Sequence, residues 1–221
     1  GGLANFAKVE IKYVDSEKLN LKNVKSELGS VDGILVPGGF GTRGVEGKIL
    51  AIQFAREKKV PFFGIFFGMQ LAAIEFARNV CVVKDATSRE IVGEKQSGKP
   101  TGSIVIDSMI EQRGIVDKGG TMRLGAFKCK LQPGSLALKI YKKNIIFERH
   151  RHRFEFNNQF RDLFQKRGLI AAGVNEERDL VEILENKNHP WFIGVQFHPE
   201  FKSKPLAPHP LFAAFIKASL K

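Results

Sequence analysis

Three short segments of the sequence carry residue types and spacings suited to acyl-transfer chemistry. Residues 64–70 read Gly-Ile-Phe-Phe-Gly-Met-Gln, which has the shape of a nucleophile elbow, a tight turn that presents its central residue at the start of a helix. Residues 196–200 read Gln-Phe-His-Pro-Glu, in which His198 is suited to deprotonate a thiol and Glu200 to orient the imidazole. Residues 37–41, Pro-Gly-Gly-Phe-Gly, allow backbone N–H groups to approach a substrate closely.

Each segment also has a plainer interpretation. A strand that ends at a glycine before a buried helix matches the first segment, and a histidine near a strand end is more often structural than catalytic. Pro199 disfavours an ordinary strand through the second segment, because proline cannot donate to a ladder. Taken singly, the segments therefore leave the choice between a catalytic and a structural interpretation open.

The elements that would position these residues alternate between strand and helix. Residues 33–36 form a short apolar run typical of a buried parallel strand, and residues 61–66 form a second. Helices are predicted over residues 46–59 and 68–78, and the alternation in residues 9–14 predicts another strand. Further strands are predicted near residues 103–107, 145–149, 169–174, 180–184 and 192–196, and a final helix over residues 211–220. We therefore predict a three-layer α/β domain with a mixed, mostly parallel central sheet.

The composition is that of one globular domain spanning residues 1–221. Hydrophobic residues make up 43% and charged residues 26%, and no apolar run is long enough to cross a bilayer. Cys81 and Cys129 are too few for a disulfide framework, so a cytoplasmic location is expected. No membrane partner is expected.

The net charge of +12 raises nucleic-acid binding as an alternative function. The basic residues are scattered, and only residues 149–153, Arg-His-Arg-His-Arg, are dense. A basic nucleic-acid-binding module would show a steep salt dependence of binding, but scattered charge is more typical of a solvated surface. We therefore expect no nucleic acid among the partners.

Taken together and in this order, the glycine loop, the elbow and the His-Pro-Glu segment resemble class I glutamine amidotransferases. Residues 43–47, 119–125, 148–155 and 188–192 narrow the resemblance to the CTP synthase family, and it covers nearly the whole chain. The resemblance implies the class I glutamine amidotransferase fold, with a further strand and helix of the family preceding the position of Gly1.

The resemblance also implies a role for individual residues. His198 would be the general base, Glu200 its orienter, and the region around Arg123 would respond to the allosteric effector GTP. The implied glutamine-binding positions are Gly39, Phe67, Gly68, Met69, Gln70, Glu90 and Arg153. Among these, Gly39 and the Phe67 N–H would form the oxyanion hole, while Gln70, Glu90 and Arg153 would hold the amino and carboxylate ends of glutamine.

The function implied by the resemblance is hydrolysis of glutamine to supply ammonia for the ATP-dependent amination of UTP to CTP. Amination would occur in a synthetase domain of the same full-length chain, which would bind ATP and magnesium. No cofactor and no metal is expected in the glutaminase domain itself. A homo-oligomer is expected for the full-length protein.

One residue departs from the family pattern. The family has its nucleophilic cysteine at the position of Phe66, and a phenyl ring has neither a lone pair for attack nor a proton for His198 to remove. Cys81 and Cys129 lie in other segments and are not expected to replace it. We therefore predict that this chain does not hydrolyse glutamine. A pseudo-glutaminase with a structural or regulatory role is the first alternative, and a hydrolase with another nucleophile is disfavoured because no Ser or Cys lies at an elbow.

Overall fold

The structure, a computed structural model, describes residues 1–93, 102–108 and 122–220. The strands in these ranges are β1 (Ile34–Val36), β2 (Phe62–Ile65), β3 (Thr87–Ser88), β4 (Ile104–Ser108), β5 (Arg123–Leu131), β6 (Ile145–His152), β7 (Phe154–Phe156), β8 (Leu169–Asn175), β9 (Leu180–Asn186) and β10 (Phe192–Val195). The α-helices are α1 (Val24–Leu28), α2 (Val45–Lys58), α3 (Phe67–Asn79), α4 (Arg89–Val92), α5 (Leu136–Tyr141), α6 (Arg161–Arg167) and α7 (Pro210–Ala218).

Seven of these strands form a central sheet in the order β1-β2-β10-β9-β8-β5-β6. The pairs β1–β2 and β2–β10 are parallel, and the four remaining pairs are antiparallel. The predicted mixed sheet is thus confirmed, but parallel pairing is confined to one end and is a smaller share of the described sheet than the sequence indicated. The reason is the short connections: β8 and β9 are joined by a four-residue turn, and such turns require antiparallel neighbours.

Helices cover both faces of the sheet, as predicted for a three-layer domain. Phe62 packs with α2 and α3 in the core on one face, whereas the next residue, Phe63, packs with α5 and α7 on the other. On β9 the side chains alternate in the same way: Leu184 packs in the core with Phe62, and Ile183 packs in the core with Phe63. Complete burial of a phenylalanine such as Phe62 or Phe63 contributes about 1.5–3 kcal/mol, so these two layers fix the position of β2 and of the turn that follows it.

The prediction of a strand over residues 9–14 is wrong. These residues have no assigned secondary structure, no ladder pairs them with any described strand, and Ile11 and Tyr13 are exposed. Alternation of apolar and polar residues is a property of one segment. A strand forms only when a neighbouring segment also hydrogen-bonds to its backbone N–H and C=O groups. The other predicted strands and helices are present with shifts of a few residues at their ends.

A small second sheet, which the sequence did not predict, lies beside the first. It has the order β3-β4-β7, with β3 and β4 parallel and β4 and β7 antiparallel. Only Arg153 separates β6 of the large sheet from β7 of the small one, so this residue lies at the junction of the two sheets. Across the described ranges, every helix is too short or too polar to cross a membrane.

Candidate functional site

The turn between β2 and α3 has the geometry of a nucleophile elbow. Phe66 has φ 47° and ψ −99°, a conformation that costs a residue with a side chain about 1–3 kcal/mol. Its N–H donates to the Val195 carbonyl at 2.6 Å, and its carbonyl accepts the first α3 hydrogen bond, from the Gln70 N–H at 3.1 Å. These bonds hold the strained residue between the strand end and the helix.

Two glycines make this turn possible. A Cβ atom on Gly64 would lie 2.7 Å from the Gly68 carbonyl carbon, and a Cβ on Gly68 would overlap the Val36 carbonyl oxygen. Helix α3 therefore packs so closely on β1 and β2 that only glycine fits at both positions. The sequence interpretation of these residues as an elbow agrees with this geometry.

The glycine loop after β1 lies against the elbow. A Cβ on Gly39 would be 3.5 Å from the Phe67 ring, and a Cβ on Gly38 would be 3.2 Å from His198 Cε1. Phe67 is the first residue of α3, and the first N–H groups of a helix have no partner within the helix. The Phe67 N–H and the loop at Gly39 are therefore suited to stabilise an anion near residue 66.

His198 and Glu200 lie beside the elbow and form a hydrogen-bonded pair. His198 Nδ1 and Glu200 Oε1 are 2.6 Å apart, and the His198 N–H donates to the Arg149 carbonyl at 2.8 Å. With Nδ1 donating to the glutamate, Nε2 is the lone-pair nitrogen of the neutral ring. This Nε2 is buried without a hydrogen-bond partner among the described residues, as a general base awaiting a proton donor would be.

The phenyl ring of Phe66 packs on the imidazole of His198. Their ring centroids are 5.2 Å apart, and on His198 a second ring, that of Phe201, stacks at 4.9 Å. The histidine that would accept a proton from a nucleophile at position 66 thus contacts a hydrocarbon ring. No proton can be taken from that ring.

Glu90 contacts the glycine loop, and Arg153 lies close enough to Glu90 to influence its charge. Glu90 Oε1 accepts a hydrogen bond from the Gly41 N–H at 2.8 Å. Burial raises the pKa of Glu90, while the Gly41 N–H and the positive charge of Arg153 act to lower it. Arg153 Nε is buried and has no hydrogen-bond partner in the described part of the chain. A carboxylate and a guanidinium close enough to influence each other suit the two charged ends of an amino acid.

The other implied glutamine-binding positions differ in their access to a ligand. Gln70 is buried, and its Nε2 donates to the Phe154 carbonyl at 3.0 Å, next to Arg153. The Met69 side chain is fully buried and packs against Gly194 of β10, so only its backbone could contact a substrate. Gly68 serves the close packing of α3 on β1.

Arg123, which the resemblance placed in an effector region, is almost completely buried. Its guanidinium donates to Glu155 at 3.2 Å and to Glu182 at 2.6 Å, and it packs on the Phe127 ring at 4.3 Å. The segment before it, residues 109–121, lies outside the described residues. An effector role for the Arg123 region therefore stays a prediction, and the guanidinium itself stabilises two buried carboxylates.

A second histidine beside residue 66 was missed by the sequence analysis. The His152 and Phe66 rings have centroids 6.1 Å apart, and His152 Nε2 lies 2.6 Å from Glu155 Oε1. The signal was available in residues 149–153, because alternation on β6 points Arg149 and Arg151 outward and the histidines inward.

Neither cysteine is placed to act as a nucleophile. Burial raises the pKa of Cys81 to about 11, and burial raises that of Cys129 further. Both thiols are therefore protonated near neutral pH and unreactive. No group of three or more potential metal ligands converges within the ranges that the structure describes.

Nearly the whole chain matches a known protein family. The family model of class I glutamine amidotransferases matches residues 2–218. The chain is 71% identical over 221 residues to the CTP synthase of Bdellovibrio bacteriovorus, covering 100% of this chain and 41% of that protein. It is 57% identical over 220 residues to the CTP synthase of Geotalea uraniireducens, covering 100% of this chain and 40% of that protein. The chain thus spans about two-fifths of the length of these curated relatives.

One solved structure supports the same family, and a second shares the fold. The glutaminase domain of Trypanosoma brucei CTPS with bound acivicin matches with a TM-score of 0.89 and 40% identity, covering 99% of this chain and 83% of that one. A putative GMP synthase subunit from Thermoplasma acidophilum matches with a TM-score of 0.61 at 17% identity, covering 98% of this chain and 84% of that one. The second match shows a shared fold alone.

Proposed function

Because the chain belongs to the class I glutamine amidotransferase family and resembles its CTP synthase members, we propose that it is the glutaminase domain of a CTP synthase in which Phe66 prevents glutamine hydrolysis. The observation that supports this most directly is the convergence at residue 66. An elbow, a glycine loop and a His–Glu pair meet there around a phenyl ring.

With cysteine at position 66, these residues would perform a two-step hydrolysis. His198 Nε2 takes the thiol proton, the sulfur attacks the glutamine amide carbon, and the Gly39 and Phe67 N–H groups stabilise the oxyanion. The C–N bond then breaks, His198 returns the proton to the nitrogen, and ammonia leaves. Water, deprotonated by His198, cleaves the thioester and releases glutamate. Glu200 holds the imidazole in the tautomer that both steps need.

The phenyl ring removes the first of these steps and obstructs the others. It offers no lone pair to the amide carbon, and it occupies space against His198 that a thiol and a substrate would share. On this proposal, the remaining site residues would support glutamine hydrolysis once a thiol stood at position 66. The change therefore removes the nucleophile while the surrounding site is retained.

For the whole protein we propose the partners and location that the family implies. Ammonia would pass to a synthetase domain that binds UTP, ATP and magnesium, since this chain covers only about two-fifths of its curated relatives. GTP would act as an allosteric effector on the region around Arg123. The full-length protein would be a cytoplasmic homo-oligomer, and nucleic acid would not be a partner.

A pseudo-glutaminase is the second candidate, and Phe66 is the observation that favours it. In that case the domain would serve a structural or regulatory role in an ammonia-dependent CTP synthase. The two candidates share the inactive site and differ in whether cysteine at position 66 would restore glutamine hydrolysis.

The test is glutaminase activity of the Phe66→Cys variant beside the parent chain, with glutamate release as the readout. We expect no release above background from the parent. We expect the variant to exceed it by about a thousandfold or more, because a nucleophile with its base is restored. Thermal unfolding of both proteins, followed by circular dichroism, shows whether each is folded. A folded Phe66→Cys variant without activity would contradict the proposal, as would activity of the parent.

A further inference from the structure

A second histidine–glutamate pair lies beside residue 66, and the hydrolysis described above does not use it. The His152 ring lies 6.1 Å from the Phe66 ring, and its Nε2 is 2.6 Å from Glu155 Oε1. His152 is 2% exposed and Glu155 is 4% exposed. A pair this deeply buried beside the reacting position calls for a chemical role or a structural one.

The contact with Arg123 indicates which ring nitrogen of His152 donates to Glu155. Its Nη1 donates to Glu155 Oε1 at 3.2 Å, and a guanidinium can only donate, so this carboxylate oxygen acts as an acceptor. His152 Nε2 therefore carries the hydrogen in the bond to Glu155, and Nδ1 of the neutral ring has the lone pair. This Nδ1 is buried, and none of the described residues donates a hydrogen bond to it.

A buried acceptor without a donor is costly, so a site that contains one favours a ligand that brings a donor. The carboxamide of glutamine carries two N–H groups at the atom that leaves. The carboxylate of glutamate and the oxygen of a γ-ester carry none. Nδ1 of His152 can therefore accept a hydrogen bond from the amide of the substrate but not from the carboxylate of the product.

We propose that His152 is a specificity-determining residue for the leaving group: its Nδ1 accepts a hydrogen bond from the carboxamide N–H of the substrate and from the ammonia that forms. This inference rests on the proposed function. In the amide cleavage, the Sγ–C bond forms, the C–N bond breaks and His198 supplies the proton to the nitrogen. His152 transfers no proton. Its Nδ1 positions the leaving nitrogen by a hydrogen bond, while Glu155, which is itself bonded to Arg123, fixes the orientation of the His152 ring.

Two replacements separate this role from mere packing. In His152→Gln the side-chain amide can still donate to Glu155 from the position of Nε2, but it has no acceptor at the position of Nδ1. In His152→Asn the amide can supply an acceptor near Nδ1 and cannot reach Glu155. A structural role in holding Glu155 predicts that the asparagine variant is the more damaged of the two.

The experiment compares glutamine with glutamate γ-methyl ester, whose leaving group is methanol, in the Phe66→Cys chain. We expect His152→Gln to lower the ratio of kcat/KM for amide over ester about ten- to a hundredfold, and His152→Asn to lower it less. An amide-to-ester ratio that is the same with His152 and with His152→Gln would overturn the proposal. Equal ratios with large losses of both activities would indicate a structural role.

A binding measurement keeps this test independent of turnover. The Phe66→Ala chain has room for a ligand and no nucleophile, so calorimetry can compare its affinities for glutamine and for the γ-methyl ester. We expect glutamine to bind more tightly, and His152→Gln to reduce that preference. If the Phe66→Cys chain is inactive while this preference is present, the proposed hydrolysis fails and the role of His152 stands. If Phe66→Ala shows no preference for the amide, the role of His152 fails, whatever the activity.

Discussion

Two histidine–glutamate pairs contact the region of residue 66, and they differ in their access to water. The nitrogen–oxygen distance is 2.6 Å in both the His198–Glu200 pair and the His152–Glu155 pair. The Glu200 side chain is 43% exposed, whereas that of Glu155 is 4% exposed and is bonded to Arg123. The first pair can exchange protons with solvent and suits a general base. The second is enclosed and suits recognition.

The enclosed pair belongs to a larger buried network of charges. Arg123 joins Glu155 to Glu182, and His150 Nε2 lies 3.5 Å from Glu182. Burial raises the pKa of Glu182, and Arg123 acts to lower it. Burial, with the charge of Arg123, keeps the pKa of His150 far below its ordinary value. We therefore expect the network to stabilise the fold as well as to support His152, and we expect no comparable contribution from the exposed pair.

The largest expected effect lies on the exposed pair. In the Phe66→Cys chain, His198→Ala should lower kcat about a hundred- to ten-thousandfold, because the general base for both steps is lost. The free energy of unfolding should change little by comparison, since the imidazole bonds mainly to the half-exposed Glu200. Steady-state glutamate release and urea unfolding measure the two quantities. A His198→Ala variant that keeps full activity would mean that this pair is structural.

A substitution in the buried network should affect mainly the free energy of unfolding. Arg123→Met should lower the free energy of unfolding by about 3–5 kcal/mol, because Glu155 and Glu182 would be left buried without their cation. Arg161→Met is the matched control: it removes an ion pair to Asp179, whose side chain is 68% exposed, and should cost about 1 kcal/mol or less. Urea unfolding of both variants measures the difference. Equal small losses would show that the network does not stabilise the fold.

The smallest expected effect is on the pH dependence of the free energy of unfolding. The lowered pKa of His150 means that the unfolded chain binds a proton below about pH 6.5 that the folded chain does not, so stability is lost as the pH falls from that value. The contribution is about 1.4 kcal/mol for each pH unit. His150→Phe should make the acid side of the stability–pH curve less steep by that amount, as measured by urea unfolding between pH 7 and 5. An unchanged slope would contradict the assignment.

The sequence predicted the exposed pair and the elbow because both are local. Gly64 and Gly68 flank Phe66 within five residues, and Glu200 follows His198 by two, so the turn and the pair can be recognised in short segments. The inward-facing histidines of residues 149–153 follow from local alternation, but Arg123, which bonds to the buried pair, and Glu182 lie 59 residues apart and resemble surface charges in the sequence. Only the sheet brings them together.

Strand prediction shows the same limit. In β6 the alternation of arginine and histidine is real, because β5 pairs with it along its length. Residues 9–14 show a comparable alternation and form no strand among the described elements. Local pattern gives the preference of a segment, and the partner that completes a ladder decides the outcome.

If Phe66 alone separates this chain from a glutaminase, cysteine at position 66 should form a covalent intermediate with glutamine, and trapping that intermediate is the decisive experiment. The parent and Phe66→Cys chains are incubated with glutamine, quenched in acid, digested and mapped by mass spectrometry for a glutamyl thioester. We expect the adduct on the peptide containing residue 66 of the variant, and no adduct anywhere in the parent. A glutamyl group on Cys81 or Cys129 of the parent, or none on residue 66 of a folded variant, would contradict the claim.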